Sequence, residues 1–412
     1  MQKTSQPELN QGKIAAVYSA LSAEGIQDAL RERCRNAALA FGTAMLESEV
    51  QSLCGAPFAR KGEELYRRGG SEETTVILEG GKSRLRRPRV RNAEGEVRLE
   101  TLEKLQAQDL LDERIRESML LGVSTRKYDR VVNGYAKKLG VSKSSVSRAF
   151  KRASQKELDI INTGRLDEYE FVAIILDGIE VAGTTIVAAL GITSELKKVP
   201  IGLREGDSEN AEVVQDLLSS LRERGFTLHC DKLLAILDGS KALKKALRAI
   251  FGDRVLIQRC WLHKARNICA YLPKTNHGQM HWRMKRLMNL KSFADAKQEY
   301  ESFHRWLAEL SEAAAESLDE AGDELLTLHA LGVSGDLRKS LSTTNSLESL
   351  FSVVRAGIGR NKRYRLRSQQ KLRWIASAVL EQHRTKMRRV RGGAQRNVLI
   401  AALGQKVDLN VA

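Results

Sequence analysis

Cysteine is scarce in this chain, with five residues in 412, at positions 34, 54, 230, 260 and 269. An odd number without framework spacing argues against a disulfide-stapled fold and for reduced thiols. Nor does any stretch approach the run of about 18 apolar residues that a spanning helix needs, so a membrane protein is not expected. The opening MQKTSQPELN is polar and lacks the apolar core of a signal peptide, which predicts a cytosolic protein. Negative charge is the minority sign. Asp and Glu number 51 against 68 Lys and Arg, a formal net charge of +17. Such an excess predicts a polyanionic partner, nucleic acid before a membrane surface. By length the chain holds roughly two to four domains.

Two short stretches resemble each other, Phe171 to Gly178 (FVAIILDG) and Leu233 to Gly239 (LLAILDG). Each is an aliphatic run too short for a globular helix and closes on Asp-Gly, which predicts two buried strands, each ending in a carboxylate. Fully apolar strands usually lie in parallel α/β sheets, where Asp177 and Asp238 emerge together at the C-terminal edge. Two carboxylates held close repel, and a shared proton or a divalent cation relieves them, so a Mg²⁺ site is expected. The plainer alternative is turn chemistry, since Asp bonds its own backbone and Gly supplies positive φ.

Residues 1–70 read as an N-terminal helical region, with apolar positions from Ile26 to Leu53 at near-helical spacing. Residues 71–109 form a small basic β region: TTVIL (Thr74 to Leu78), a Gly80-Gly81 turn, KSRLRRPRVR (Lys82 to Arg91), then Glu96 to Leu102. Six of the ten residues from Lys82 to Arg91 are Lys or Arg, and Pro88 marks an edge strand. Arg86 and Arg87 are candidate phosphate contacts, although a charged edge also guards against aggregation. Residues 110–160 contain a helix-turn-helix pattern from Tyr135 to Arg148, with Gly140 at the turn and Ser142 to Arg152 as recognition helix. Lys143, Ser144, Ser147 and Arg148 would face the groove, while Val141, Val146 and Phe150 would pack.

The α/β region, residues 168–275, follows. Phe171 to Asp177, Thr184 to Gly191 and Lys197 to Leu203 suggest an antiparallel meander. A helix from Asn210 to Gly225, a strand from Leu233 to Asp238, a helix capped by Ser240, a strand from Val255 to Cys260 and a helix from Trp261 to Tyr271 complete it. The order β-β-β-α-β-α-β-α is that of the ribonuclease H-like fold, a mixed five-stranded sheet whose first and fourth strands are parallel neighbours. Residues 276–335 carry no strand signal and read as a helical insertion, basic around His281 and acidic from Glu299 to Glu324. Residues 336–359 complete the core, and residues 360–412 form a basic C-terminal region.

A nuclease of that fold needs a third acidic ligand to complete two cation sites about 4 Å apart. STTNSLESLF, from Ser342 to Phe351, offers Glu348 on a helix capped by Thr343 or Thr344, beside a stripe of Leu347, Leu350, Phe351 and Val354. An early helical Glu is also an ordinary capping partner. Together IILDG (Asp177), AILDG (Asp238), QRCWLHKARN (Cys260, His263) and TTNSLES (Glu348) resemble, in order, the Mutator-type transposases of bacterial insertion sequences. The resemblance runs from about Glu168 to Gly359. It implies a DDE transposase in which Asp177, Asp238 and Glu348 are catalytic and bind two Mg²⁺ or Mn²⁺ ions. The implied partners are element terminal inverted repeats, target DNA and further copies of the chain, in a bacterial cytoplasm at the nucleoid. Cys260 and His263 match the family's Cys-x-x-His signature.

Cys-x-x-His could instead be half of a zinc site completed by Cys269, His277 or His281, at spacings that match no standard finger. His263 is expected to contact a phosphate or orient the DNA end. Trp261 is core or a base-stacking platform. Arg360, Arg363 and Arg365, with Tyr364 and Trp374 interleaved, are candidate backbone contacts beside the Glu348 helix. The rival functions are a ribonuclease H-like nuclease or resolvase that does not join strands, and a domesticated DNA-binding regulator.

Overall fold

The computed structural model describes residues 23–57, 65–78, 81–123, 125, 128, 142–181, 183–206, 210–358, 369–387 and 389–404. The chain divides into two compact units, Met1–Ala153 and Ser154–Ala412.

In the first unit, α1 (Ala23–Cys54) buries Leu46, Val50 and Cys54 against a small antiparallel sheet. That sheet has the order β1 (Arg67–Leu78), β2 (Gly81–Asn92), β3 (Gly95–Val97). β1 is much longer than TTVIL because its first residues still find ladder partners, Arg67 opposite Arg91 and Arg68 opposite Val90. The strand expected from Glu96 to Leu102 is corrected: β3 stops at Val97 and α2 (Glu100–Leu105) begins. The reason is tertiary. The Glu49 carboxylate of α1 accepts the N–H groups of Glu100 and Thr101 at 2.7 and 2.9 Å, an N-terminal cap that no neighbouring residue supplies. α3 (Gln108–Leu120) follows, and α4 (Lys143–Thr163) opens at Ser142, whose hydroxyl accepts the Ser145 N–H at 3.1 Å.

The second unit is mixed α/β. Its sheet has the order β6 (Lys198–Glu205), β5 (Thr184–Thr193), β4 (Glu170–Val181), β8 (Leu233–Leu237), β9 (Val255–Arg259). β4, β5 and β6 are antiparallel, whereas β4, β8 and β9 are parallel, so the first and fourth major strands are neighbours. A sixth strand, the two-residue β7 (Thr227–Leu228), pairs parallel with β4 and was too short to leave a pattern in the sequence. β8 is buried at every position, as a continuous apolar run must be when both sheet faces are covered.

One face carries α5 (Ala211–Glu223) and α6 (Lys241–Phe251). Both start where side-chain caps predict: Asn210 accepts from Glu212 and Val213, and Ser240 accepts from Leu243. From α7 (Trp261–Ala270) the chain passes into helices α8 (His277–Asn289), α9 (Phe293–Leu310), α10 (Glu312–Asp319) and α11 (Thr327–Ala330), without a strand among the described residues. These bury a second core around Trp261, Met280, Phe303, Leu307 and Leu318. α12 (Gly335–Leu341), α13 (Asn345–Ile358), α14 (Gln370–Thr385) and α15 (Arg396–Leu403) close the unit. No described helix is long and apolar enough to cross a membrane.

Candidate active site

Asp177 does not end its strand. β4 continues to Val181, with Asp177 opposite Ala188 and Gly178 opposite Val187 on β5, so this Asp-Gly is not a turn. What stops beside Asp177 is the pairing on its other side, where the last β4–β8 partners are Ile175 and Ile236. Two further steps along that register set Asp177 opposite Asp238, and adjacent strands lie about 4.8 Å apart. Asp177 is buried, with 2% of its surface exposed. Asp238 stands past the end of β8, before a Gly239 of φ +121°, and its Oδ1 accepts the Ser240 N–H at 3.0 Å.

Glu348 lies in the first turn of α13, whose Leu347, Leu350, Phe351 and Val354 are buried. That stripe docks the helix and turns Glu348 to the sheet edge. The two preceding threonines divide the labour. Thr343 Oγ1 accepts the Asn345 N–H at 3.4 Å, while Thr344 Oγ1 lies 3.5 Å from Cys260 Sγ and 3.4 Å from His263 Nδ1. The Thr344 N–H also donates to Cys260 Sγ at 3.4 Å, and the Trp261 N–H to the Ser342 carbonyl at 3.0 Å. Cys260 therefore clips the start of the Glu348 helix to the end of β9.

Asp177, His263 and Glu348 each present a ligand atom within 4.8 Å of the others; among the described residues no other three His, Cys, Asp or Glu side chains do so. Asp238 is not in that group. Cys260 does not join Cys269, His277 and His281 either: Cys269 Sγ sits 3.8 Å from His281 Nε2, and His277 Nε2 faces the carbonyls of Cys269 and Leu272 at 3.1 Å. His263 Nε2 is 3.5 Å from Glu348 Oε1. Arg266, one helical turn after His263, donates to both Glu348 oxygens, at 2.9 and 3.4 Å. These groups line a cleft of about 730 Å³ that also includes Asn345 and Arg355. Arg355 donates to the Glu180 carbonyl at 3.0 Å and so ties the far end of α13 to β4.

Burial pushes the Asp177 carboxyl up to about 6; His263 opposes this, and the charges of Asp238 and Glu348 add to it. His263 is raised above its ordinary range by the Cys260 sulfur beside it and, against the cost of burial, by Asp177 and Asp238. The cleft thus brings acidic oxygens together with one imidazole and two exposed guanidinium groups, Arg266 and Arg355.

The Mutator family of transposases matches residues 9–384. The chain belongs to that family. It is 29% identical over 223 residues to the transposase for insertion sequence element IS6120 of Mycolicibacterium smegmatis, covering 52% of this chain and 67% of that protein. Identity is 26% over 341 residues with the transposase for IS1201 of Lactobacillus helveticus, covering 80% and 88%. With the transposase for IS256 in transposon Tn4001 of Staphylococcus aureus it is 25% over 333 residues, covering 76% and 81%.

The other residues singled out in this Mutator-family chain differ in their surroundings. Trp261 is 5% exposed, in the core it shares with α8, α9 and α10, its ring centroid 6.2 Å from that of His329. Trp374 is likewise buried, so it offers no face to a nucleic acid. Arg87 is held by Glu72 and by Glu96, the latter at 2.8 Å, whereas Arg86 is exposed and donates to Ser71 at 2.9 Å. Lys143, Ser144, Ser147 and Arg148 are exposed on α4, opposite buried Val146, Ala149 and Phe150. The first helix of the helix-turn-helix pattern, with Val141, lies outside the described residues, as do Arg360, Arg363 and Arg365. Arg266 went unassigned in the sequence, although its place three residues after His263 already put both on one helix face.

Proposed function

We propose that this Mutator-family chain is a DDE-type DNA transposase built on a ribonuclease H-like core. In this reading it binds the terminal inverted repeats of its element, cuts a strand by water attack on a phosphodiester and joins the freed 3′-OH to target DNA. The observation that carries the reading is the meeting of Asp177 and Glu348 with His263, from a strand and two helices far apart in sequence, with Asp238 next to Asp177 by sheet register.

The donor set fits hard divalent cations. It consists of carboxylate oxygens, one of them buried and pushed up chiefly by that burial. Asp177, Asp238 and Glu348 would hold two Mg²⁺ or Mn²⁺ ions, which when bound activate the attacking oxygen and neutralise the leaving one. The chain's own work is positional. The β4–β8 ladder fixes two carboxylates side by side, and the Cys260–Thr344 clip sets the reach of Glu348. His263, 3.5 Å from Glu348 Oε1, orients Glu348. The exposed Lys143, Ser144, Ser147 and Arg148 are read as contacts to the element ends. Residues 110–160 would then be the end-binding region and residues 168–359 the catalytic one. Arg86, Arg360, Arg363 and Arg365 are read as phosphate contacts, and assembly as a dimer or larger follows from the need to hold two ends.

The test is incubation of labelled end DNA with target plasmid and Mn²⁺. Cleaved and joined products are expected, and Asp177→Asn, Asp238→Asn and Glu348→Gln should each lower cleavage by about 10³-fold. Wild-type cleavage in all three variants overturns the site. Cleavage without joined product replaces the transposase with a nuclease or resolvase.

A further inference from the structure

Two cations close to His263 in sequence are locked, and Arg355 of the cleft wall donates to the Glu180 carbonyl at 3.0 Å. Lys264, 1% exposed, donates to the Ser317 carbonyl at 2.6 Å and to Glu320 at 2.5 Å, and Arg259, 4% exposed, also reaches Glu320 at 2.6 Å. Arg266 differs. Its side chain is 59% exposed at the cleft wall, and among the described residues its hydrogen bonds both go to Glu348. The guanidinium fork occupies one lone pair on each carboxylate oxygen, so a cation that takes both oxygens must displace it. A long exposed stem can swing away with little loss of packing, and a freed guanidinium matches a phosphate in geometry and charge.

We propose that Arg266 is a displaceable counter-ion: it holds Glu348 in the metal-free site, and it turns to a phosphate of the DNA strand when divalent cations take that carboxylate. The inference rests on the cation site proposed above and adds a residue that couples metal loading to strand binding. Arg266 thereby keeps Glu348 oriented, and its charge compensated, before cations arrive.

Calorimetric titration of Mn²⁺ into the full DNA-free chain gives the first test. Arg266→Ala should bind Mn²⁺ about fivefold more tightly than wild type, because a competing positive charge is gone. The second is the salt dependence of end-DNA binding. With Mn²⁺ present, Arg266→Ala should bind more weakly and lose about one unit of the log–log slope, Arg266→Lys should keep the slope, and without Mn²⁺ all three proteins should share it. Unchanged or weaker Mn²⁺ binding in Arg266→Ala, or an unchanged slope with Mn²⁺, overturns the proposal. Glu348→Gln separates the two readings. A lost Mn²⁺ affinity there, with Arg266→Ala behaving as wild type, overturns the exchange alone, whereas wild-type affinity in Glu348→Gln overturns the cation site and the exchange together.

Discussion

Asp177-Gly178 and Asp238-Gly239 close two runs of nearly the same composition, but the backbone uses them differently. The first pair sits inside a strand that keeps its β5 partners for several more residues, and its carboxyl is buried and pushed up to about 6. The second sits at a true strand end, with a left-handed glycine and a carboxylate oxygen spent on the Ser240 N–H. The same dipeptide continues a strand in one place and follows the end of one in the other. The deciding variable is what pairs with the strand on each side. A carboxylate flanked by an ongoing ladder is desolvated, whereas one beyond the last pair meets solvent and its own turn.

The contrast breaks or sharpens by experiment, the largest effect being at Asp177. Its folded pKa of about 6 lies above the ordinary 3.8, so between these values the native state holds more protons than the unfolded chain. Stability from this group is therefore full below about pH 4 and is lost as pH rises through about 6, a cost of up to about 3 kcal/mol at pH 7. In EDTA at pH 7, Asp177→Asn should stabilise the fold by up to that amount and flatten the pH dependence between 4 and 6. Asp238→Asn should change stability by less than about 0.5 kcal/mol. Urea melts across this pH range check both, and equal behaviour of the two variants would erase the distinction.

A smaller effect separates the glycines. Gly239 has φ +121°, and a Cβ there would run into the Arg259 guanidinium. Gly239→Ala should cost about 2 kcal/mol in a urea melt, and Gly178→Ala, in strand backbone, should cost less. Smallest is Ser240→Ala. It removes the hydroxyl that accepts the Leu243 N–H at the start of α6 and should cost about 1 kcal/mol in the same assay.

Much of the core was legible because its signals are local. The apolar runs of β4 and β8, the meander, the caps at Asn210 and Ser240, and the buried stripe behind Glu348 are all written within a few residues of the element they define. The features that escaped depend on distant partners. Glu49 starts α2 from fifty residues away in the chain. Trp374 reads as an aromatic in a basic stretch, but its helix turns it inward. Arg87 reads as a free cation until the β1–β2–β3 ladder brings Glu72 and Glu96 to it.

Sequence alone determined the main strands and helices of the α/β region and which acids sit on or next to them, because periodicity, capping and composition act over one or two turns of chain. Only the tertiary structure decided that Asp177 is buried where the ladder continues on the β5 side and stops on the β8 side, that His263 and Arg266 close on Glu348, and that Cys260 fastens the Glu348 helix to the sheet. Those facts depend on which strands pair and where the pairing stops. Desolvation and charge proximity are properties of neighbours in space, and no spacing along the chain specifies them.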